Sequence, residues 1–156
     1  MLAEGQKAPE FMLPATGGKT ISLAEFKGLK NVVLYFYPKD DTPGCTKEAC
    51  FFRDVMSEFE AAGAVILGVS IDSMKSHESF AAKHHLLFPL LSDEQKTVST
   101  AYGVFKEKSM YGKTFLGVER TTFAIDKEGV VRKVWPRVKV EGHIDEVLEF
   151  VKALSV

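Results

Sequence analysis

Two cysteines occur in the 156 residues of this chain, and they lie five positions apart at Cys45 and Cys50. Cys45 stands where a strand-like run ends and a helix-like pattern begins. The unsatisfied N–H groups and the dipole of a helix start favour a thiolate there. At 100° per residue, Cys45 shares a stripe with Ala49, Phe52, Met56 and Phe59, the side expected to face a core. Cys50 points about 140° away, among Thr46, Asp54 and Ser57. One sheltered thiol and one near the surface suggest a nucleophile and a second thiol that clears its product.

Helical geometry separates Cα atoms five residues apart by about 8.5 Å, whereas a disulfide requires roughly 4.4–6.8 Å. The two cysteines can therefore bond only if the first turns of the helix unwind. Thr42, Pro43, Gly44 and Thr46 are weak helix formers at that opening, which is compatible with unwinding. Buried cysteines also serve simply as small hydrophobes. Zinc has little support, because the pair is not C-x₂-C and His77, His84, His85 and His143 lie at no ligand-like spacing. His84 and His85 read as a solvated helix end.

The surrounding pattern supplies the scaffold. Phe11 to Leu13 and Thr20 to Ser22 flank Gly17-Gly18 and predict an N-terminal hairpin. Ser22-Leu-Ala-Glu25 has the form of a capping box before a short helical turn. Asn31 to Tyr37 is a continuous apolar and aromatic run, as in a strand buried on both faces. A helix is expected from about Cys45 to Ala62, closed by Gly63, then a buried strand from Ala64 to Ile71. Asp72-Ser73 caps a helix to about His85. A strand near Phe88 to Leu91 and a helix from about Glu94 to Tyr102 follow. Thr121 to Asp126 and Val130 to Trp135 predict a second hairpin, and a last helix spans about Ile144 to Leu154. Parallel β-α units followed by a hairpin and a helix make an α/β, thioredoxin-like fold: a central mixed sheet flanked by helices, with an N-terminal hairpin.

With 46% hydrophobic and 26% charged residues, the composition is that of a soluble globular chain, expected to form one domain over residues 1–156. A net charge of −1 with interspersed signs argues against nucleic acid or a membrane surface as partner. The apolar run from Val32 to Tyr37 is too short to span a bilayer. The opening Met1 to Lys7 lacks the layout of a signal peptide, so a cytoplasmic address is expected. In that reducing setting a cysteine pair points to catalysis or metal rather than to a structural staple.

Pro38-x-x-x-Thr42-x-x-Cys45 closely resembles the active-site signature of the peroxiredoxins. The longer segment Thr42-Pro-Gly-Cys-Thr-Lys-Glu-Ala-Cys50 resembles their bacterioferritin-comigratory, or Q-type, group, whose usual resolving cysteine lies five residues after the peroxidatic one. Ala8 to Leu13 and Arg120-Thr-Thr-Phe123 extend the resemblance over nearly the whole chain. The resemblance implies a thiol-dependent peroxidase acting on hydrogen peroxide and organic hydroperoxides. Cys45 would attack as thiolate and become a sulfenic acid, and Cys50 would resolve it as an intramolecular disulfide. A thioredoxin-like dithiol would then reduce the disulfide.

By the same resemblance Arg120 would favour the thiolate and bind peroxide. Thr42 would exchange hydrogen bonds with thiolate and peroxide through its hydroxyl, and Pro38 would shield the sulfur from water. From sequence alone Thr42 could equally be a helix cap and Arg120 a solvated strand-edge residue. A monomer is implied, with no metal, flavin, haem or other cofactor. Two rival readings remain: a thiol–disulfide oxidoreductase, disfavoured because Thr42 occupies the first cysteine position of a C-x-x-C motif, and a non-enzymatic redox sensor.

Overall fold

The computed structural model describes residues 2–154. Met1 and the last two residues, included in the expected domain of 1–156, lie outside them. Nine strands and five α-helices are described: β1 (Met12–Ala15), β2 (Lys19–Ser22), β3 (Asn31–Phe36), α1 (Pro43–Asp54), α2 (Met56–Ala61), β4 (Ala64–Ser70), α3 (Met74–His84), β5 (Leu90–Ser92), α4 (Thr97–Ala101), β6 (Phe105–Met110), β7 (Lys113–Val118), β8 (Thr121–Ile125), β9 (Val131–Trp135) and α5 (His143–Leu154).

Seven strands form one mixed sheet in the order β2-β1-β5-β4-β3-β8-β9, with β6 and β7 apart as a two-stranded ribbon. β3 pairs in parallel with β4, and β4 with β5, while β8 runs antiparallel to β3. All six residues of β3 are buried, because both faces of the sheet are covered. Val33 and Tyr35, with Tyr37 just beyond the strand, point to a core shared with Phe52, Phe59, Phe80 and the α5 residues Ile144, Val147 and Val151. Val32, Leu34 and Phe36 point to the opposite core with Leu67, Val69, Tyr102 and Phe123. Phe52 is fully buried and stacks on Tyr35 with ring centroids 4.7 Å apart. Its burial contributes about 2 kcal/mol to holding α1 on the sheet.

Four expectations are amended. The helix carrying the cysteines is two helices, broken at Val55, a β-branched residue with φ −116° and ψ 16°. Its C-terminal limit, with Gly63 in a left-handed conformation at φ +76°, is as expected. The turn after Ser22 is a 3₁₀ turn, Leu23–Phe26, in which the Ser22 side chain makes no capping bond. The stretch from Gly103 to Arg120, to which the pattern assigned no element, holds β6 and β7. They are joined through Tyr111 and Gly112, both at positive φ, as a two-residue hairpin turn demands. Finally, His84 is no bare solvated end, since its Nε2 lies 3.3 Å from Asp41 Oδ1. Among the described residues no helix is long and apolar enough to cross a membrane.

Candidate active site

The register of the sheet assembles the site. β3 delivers the chain to Pro38 and the loop that opens α1. The antiparallel pairing of Phe36 with Thr121 then sets Arg120 beside the end of β3, at the start of α1. A residue 75 positions away in sequence thereby reaches Cys45: Arg120 Nη2 donates to Cys45 Sγ at 3.3 Å. Cys45 is 2% exposed, Cys50 is half-buried, and both are free thiols. The sheltered and the near-surface thiol thus stand on the helix faces that the periodicity assigned to them.

Pro43 occupies the first position of α1, and Thr46 N–H donates to Thr42 C=O at 2.8 Å. The N–H groups of Gly44 and Cys45 fall in the first turn, where no intrahelical acceptor exists, so the helix offers uncommitted donors at the end that carries the sulfur. Pro38 is half-buried at the exit of β3. Thr42 stands at the N-cap position, but its side chain does not cap. Its hydroxyl donates to Lys39 C=O at 2.8 Å. That spends its proton on the backbone and corrects the expectation of a hydrogen bond given to the sulfur. The lone pairs of the hydroxyl oxygen are left as acceptors for an O–H arriving at Cys45.

Glu48, to which the motif reading gave no role, completes the arrangement. It is fully buried, and its Oε1 accepts from Arg120 Nη1 at 2.6 Å. Its Oε2 has no hydrogen-bond partner among the described residues. Burial pushes the Glu48 carboxyl up to about 7, with the adjacent Arg120 charge opposing. For Arg120, burial works against the charge, but Glu48 and Cys45 outweigh it and hold the guanidinium protonated. The guanidinium is thus a fork with one prong on a carboxylate and the other on a thiol, a geometry that a lysine cannot reproduce. A sequence signal for Glu48 existed: three residues beyond Cys45 on a helix, it falls 60° round from the sulfur, an acid at the border of an apolar stripe.

A histidine lies near Arg120. His143 is buried, with Nε2 2.9 Å from Thr122 Oγ1. Burial lowers it to about 4; Arg120 adds to that lowering and Glu146 opposes it. The imidazole is therefore neutral near pH 7.

The chain as a whole is similar to known proteins. Residues 4–134 match the model of the AhpC/TSA family. A protein of Coxiella burnetii named for peroxiredoxin bcp is 59% identical over 144 residues, covering 92% of this chain and 95% of that protein. Peroxiredoxin Bcp of Bacillus subtilis is 50% identical over 151 residues, covering 97% and 96%. Among solved structures, the Xanthomonas campestris bacterioferritin comigratory protein, studied for alkyl peroxide reduction, superposes with a TM-score of 0.89 at 48% identity, covering 94% of this chain and 92% of that one. With this coverage, the mixed sheet seen here is the thioredoxin-like fold of those relatives, and the chain belongs to the AhpC/TSA family, in its peroxiredoxin Bcp/Q group.

Proposed function

We propose that the chain is a peroxidase of two-cysteine type, reducing hydrogen peroxide and organic hydroperoxides, and that Cys45 is its peroxide-attacking thiol. The observation that carries this reading is the contact of Arg120 with Cys45 Sγ at the N-terminus of α1. A cation and first-turn N–H groups around one buried sulfur favour its thiolate form, which is the nucleophile.

In the first step the Cys45 thiolate attacks the terminal peroxide oxygen. The S–O bond forms as the O–O bond breaks, the leaving oxygen takes a proton, and water or an alcohol departs from a sulfenic acid. Arg120, the N–H of Cys45 and the hydroxyl oxygen of Thr42 surround the oxygens as charge moves between them, the preorganised arrangement that contributes most to such steps. Pro38, with no N–H, shields the sulfur on the strand side.

In the second step Cys50 condenses with the sulfenic acid, releasing water and forming an intramolecular disulfide. The Cα separation of about 8.5 Å along an intact helix requires α1 to unwind at its start. A thioredoxin-like dithiol reduces the disulfide by exchange. Because both thiols belong to one chain, no second subunit is needed; the protein acts as a monomer, one domain over residues 1–156, in the cytoplasm.

The test is a titration of the reduced protein with one equivalent of hydrogen peroxide, counting free thiols. Wild type should lose two thiols to a disulfide within the chain, while Cys50→Ser stops at a sulfenic acid on Cys45 that dimedone traps. If neither cysteine reacts faster than free cysteine, the reading fails.

A further inference from the structure

The loop from Pro38 to Thr42 connects β3 to the reactive end of α1, and α3 grips it at two successive aspartates. The outer grip is weak. Asp41, at φ +58°, pairs with Lys83 and with the half-buried His84, but Asp41 and Lys83 are exposed, and such pairs contribute little.

The inner grip is buried. Asp40 is 7% exposed, and its carboxylate takes three partners: the Tyr37 hydroxyl donates to Oδ1 at 2.6 Å, the Ser76 hydroxyl donates to Oδ2 at 2.8 Å, and His77 Nδ1 lies 2.6 Å from Oδ2. The backbone N–H of Asp40 donates to Asp72 Oδ2 at 2.8 Å, and the Ser70 hydroxyl donates to the same oxygen at 2.7 Å. His77 is fully buried and uses both ring nitrogens. Its Nε2 lies 2.9 Å from Leu91 C=O on β5. A carbonyl oxygen only accepts, so Nε2 carries a hydrogen, and one further proton lies between Nδ1 and Asp40. The ring therefore ties the loop to β5 of the sheet, and not merely to a neighbouring helix.

We propose that His77 is a positioning residue for the peroxide reaction: acting through Asp40, it fixes the loop that places Thr42 and the first turn of α1 around Cys45. The link to the site is short. Lys39 C=O, next to Asp40, is the acceptor that orients the Thr42 hydroxyl, so a loop released at Asp40 loses the alignment of Thr42 as well. Arg120 arrives from β8 and does not depend on this loop. Releasing the loop should impair the binding geometry for peroxide far more than the sulfur's own nucleophilicity, which the Arg120 contact sustains. This inference rests on the reading of Cys45 as a peroxidatic thiol.

The test compares two reactions of Cys45 in the full chain: hydrogen peroxide, which needs the surrounding geometry, and iodoacetamide, which needs the thiolate and access to it but none of the peroxide-binding groups. Peptide mass mapping separates Cys45 from Cys50. Two substitutions divide the ring's contacts. His77→Gln keeps a donor near the Nε2 position for Leu91 and gives up Asp40, whereas His77→Asn keeps a donor near Nδ1 for Asp40 and gives up Leu91. His77→Gln is expected to lower the peroxide rate roughly tenfold to a hundredfold, the penalty for small misplacement of reacting groups. Its iodoacetamide rate should stay near that of wild type, and His77→Asn should recover most of the peroxide rate.

Should either variant fail to fold by circular dichroism, Tyr37→Phe serves in its place. It removes one donor to Asp40 without changing shape and should show the same selective loss, smaller in size. Equal rates in folded His77→Gln or Tyr37→Phe and wild type would overturn the proposal. So would a parallel fall in both reactions, or a pattern in which Gln retains and Asn loses the peroxide rate. A wild-type Cys45 no faster with peroxide than free cysteine would instead overturn the peroxidase reading itself.

Discussion

Glu48 and Cys45, nearly one helical turn apart on α1, share a single guanidinium. Arg120 Nη1 lies 2.6 Å from Glu48 Oε1, and Nη2 lies 3.3 Å from Cys45 Sγ. The carboxylate fixes the roll of the fork, and the sulfur receives the second prong as a consequence. Glu48 thus aims the cation, although it competes with the sulfur for the same charge.

That sharing predicts the behaviour of Arg120→Lys. An ammonium keeps the charge but presents it as a point on a flexible stem, so it cannot serve both partners in fixed geometry. The second-order rate of Cys45 with hydrogen peroxide should fall on the order of a hundredfold, the scale for losing one preorganised donor. Stopped-flow measurement of the first turnover checks it, and a rate within a factor of three of wild type would show that charge alone suffices.

Glu48→Gln should change how stability depends on pH. The carboxyl titrates near 4.5 when unfolded and at about 7 when folded. Between those values the native state binds more protons than the unfolded state, so stability is fully present below 4.5 and is lost as pH rises through 7. A glutamine has no such loss. Urea unfolding at pH 5 and pH 8 should show the variant gaining about 2–3 kcal/mol relative to wild type at the higher pH. No relative gain would mean that Arg120 offsets the whole burial cost.

His143 acts with the opposite sign. Its folded value of about 4 lies below the unfolded 6.5, so the unfolded state binds more protons between them. Stability from this group is present above 6.5 and is lost as pH falls through 4. The windows of His143 and Glu48 overlap, and in wild type their slopes oppose each other. His143→Gln, which keeps a partner for the Thr122 hydroxyl, should unmask the Glu48 slope as a steeper fall in stability from pH 5 to pH 7, by ~2 kcal/mol. Unchanged unfolding midpoints relative to wild type across that range would exclude it.

The sequence carried the elements that follow from local pattern. The unbroken apolar run at β3, the stripe of Cys45, Ala49 and Phe52, and the Ser73 cap, whose hydroxyl accepts from Ser76 N–H, all express a periodicity or a single turn. Contacts created by folding were less legible. Arg120 was identified through resemblance, but only the pairing of Phe36 with Thr121 explains why it meets Cys45. Glu48 reads as a surface acid until Arg120 is placed over it. Asp40 and His77 are 37 residues apart and follow no spacing rule, since the parallel crossover through β4 brings them together. The ribbon of β6 and β7 carries no strand signal because its residues are largely exposed, so no buried face imposes an alternation on them.

Gly44 offers a separate test of the Arg120 geometry, because it perturbs the fork without removing a charge. A Cβ built on Gly44 would lie 3.1 Å from Arg120 Nη2 and 3.9 Å from Cζ. Its backbone is helical, within α1, so alanine meets no conformational barrier and should favour the helix by up to about 1 kcal/mol. The guanidinium could yield by a few tenths of an ångström if it were free, but Glu48 and Cys45 hold both of its prongs. Gly44→Ala should therefore displace Nη2 from the sulfur, and the firmer first turn should also resist unwinding. Two rates are expected to fall together: sulfenic acid formation, because the cation is misplaced, and closure of the Cys45–Cys50 disulfide, because α1 opens less often. Thermal stability should hold or rise. A variant that forms the disulfide as fast as wild type would show that opening of the first turn does not limit resolution. An undiminished first step would show that the Arg120 fork tolerates displacement from the thiol it faces.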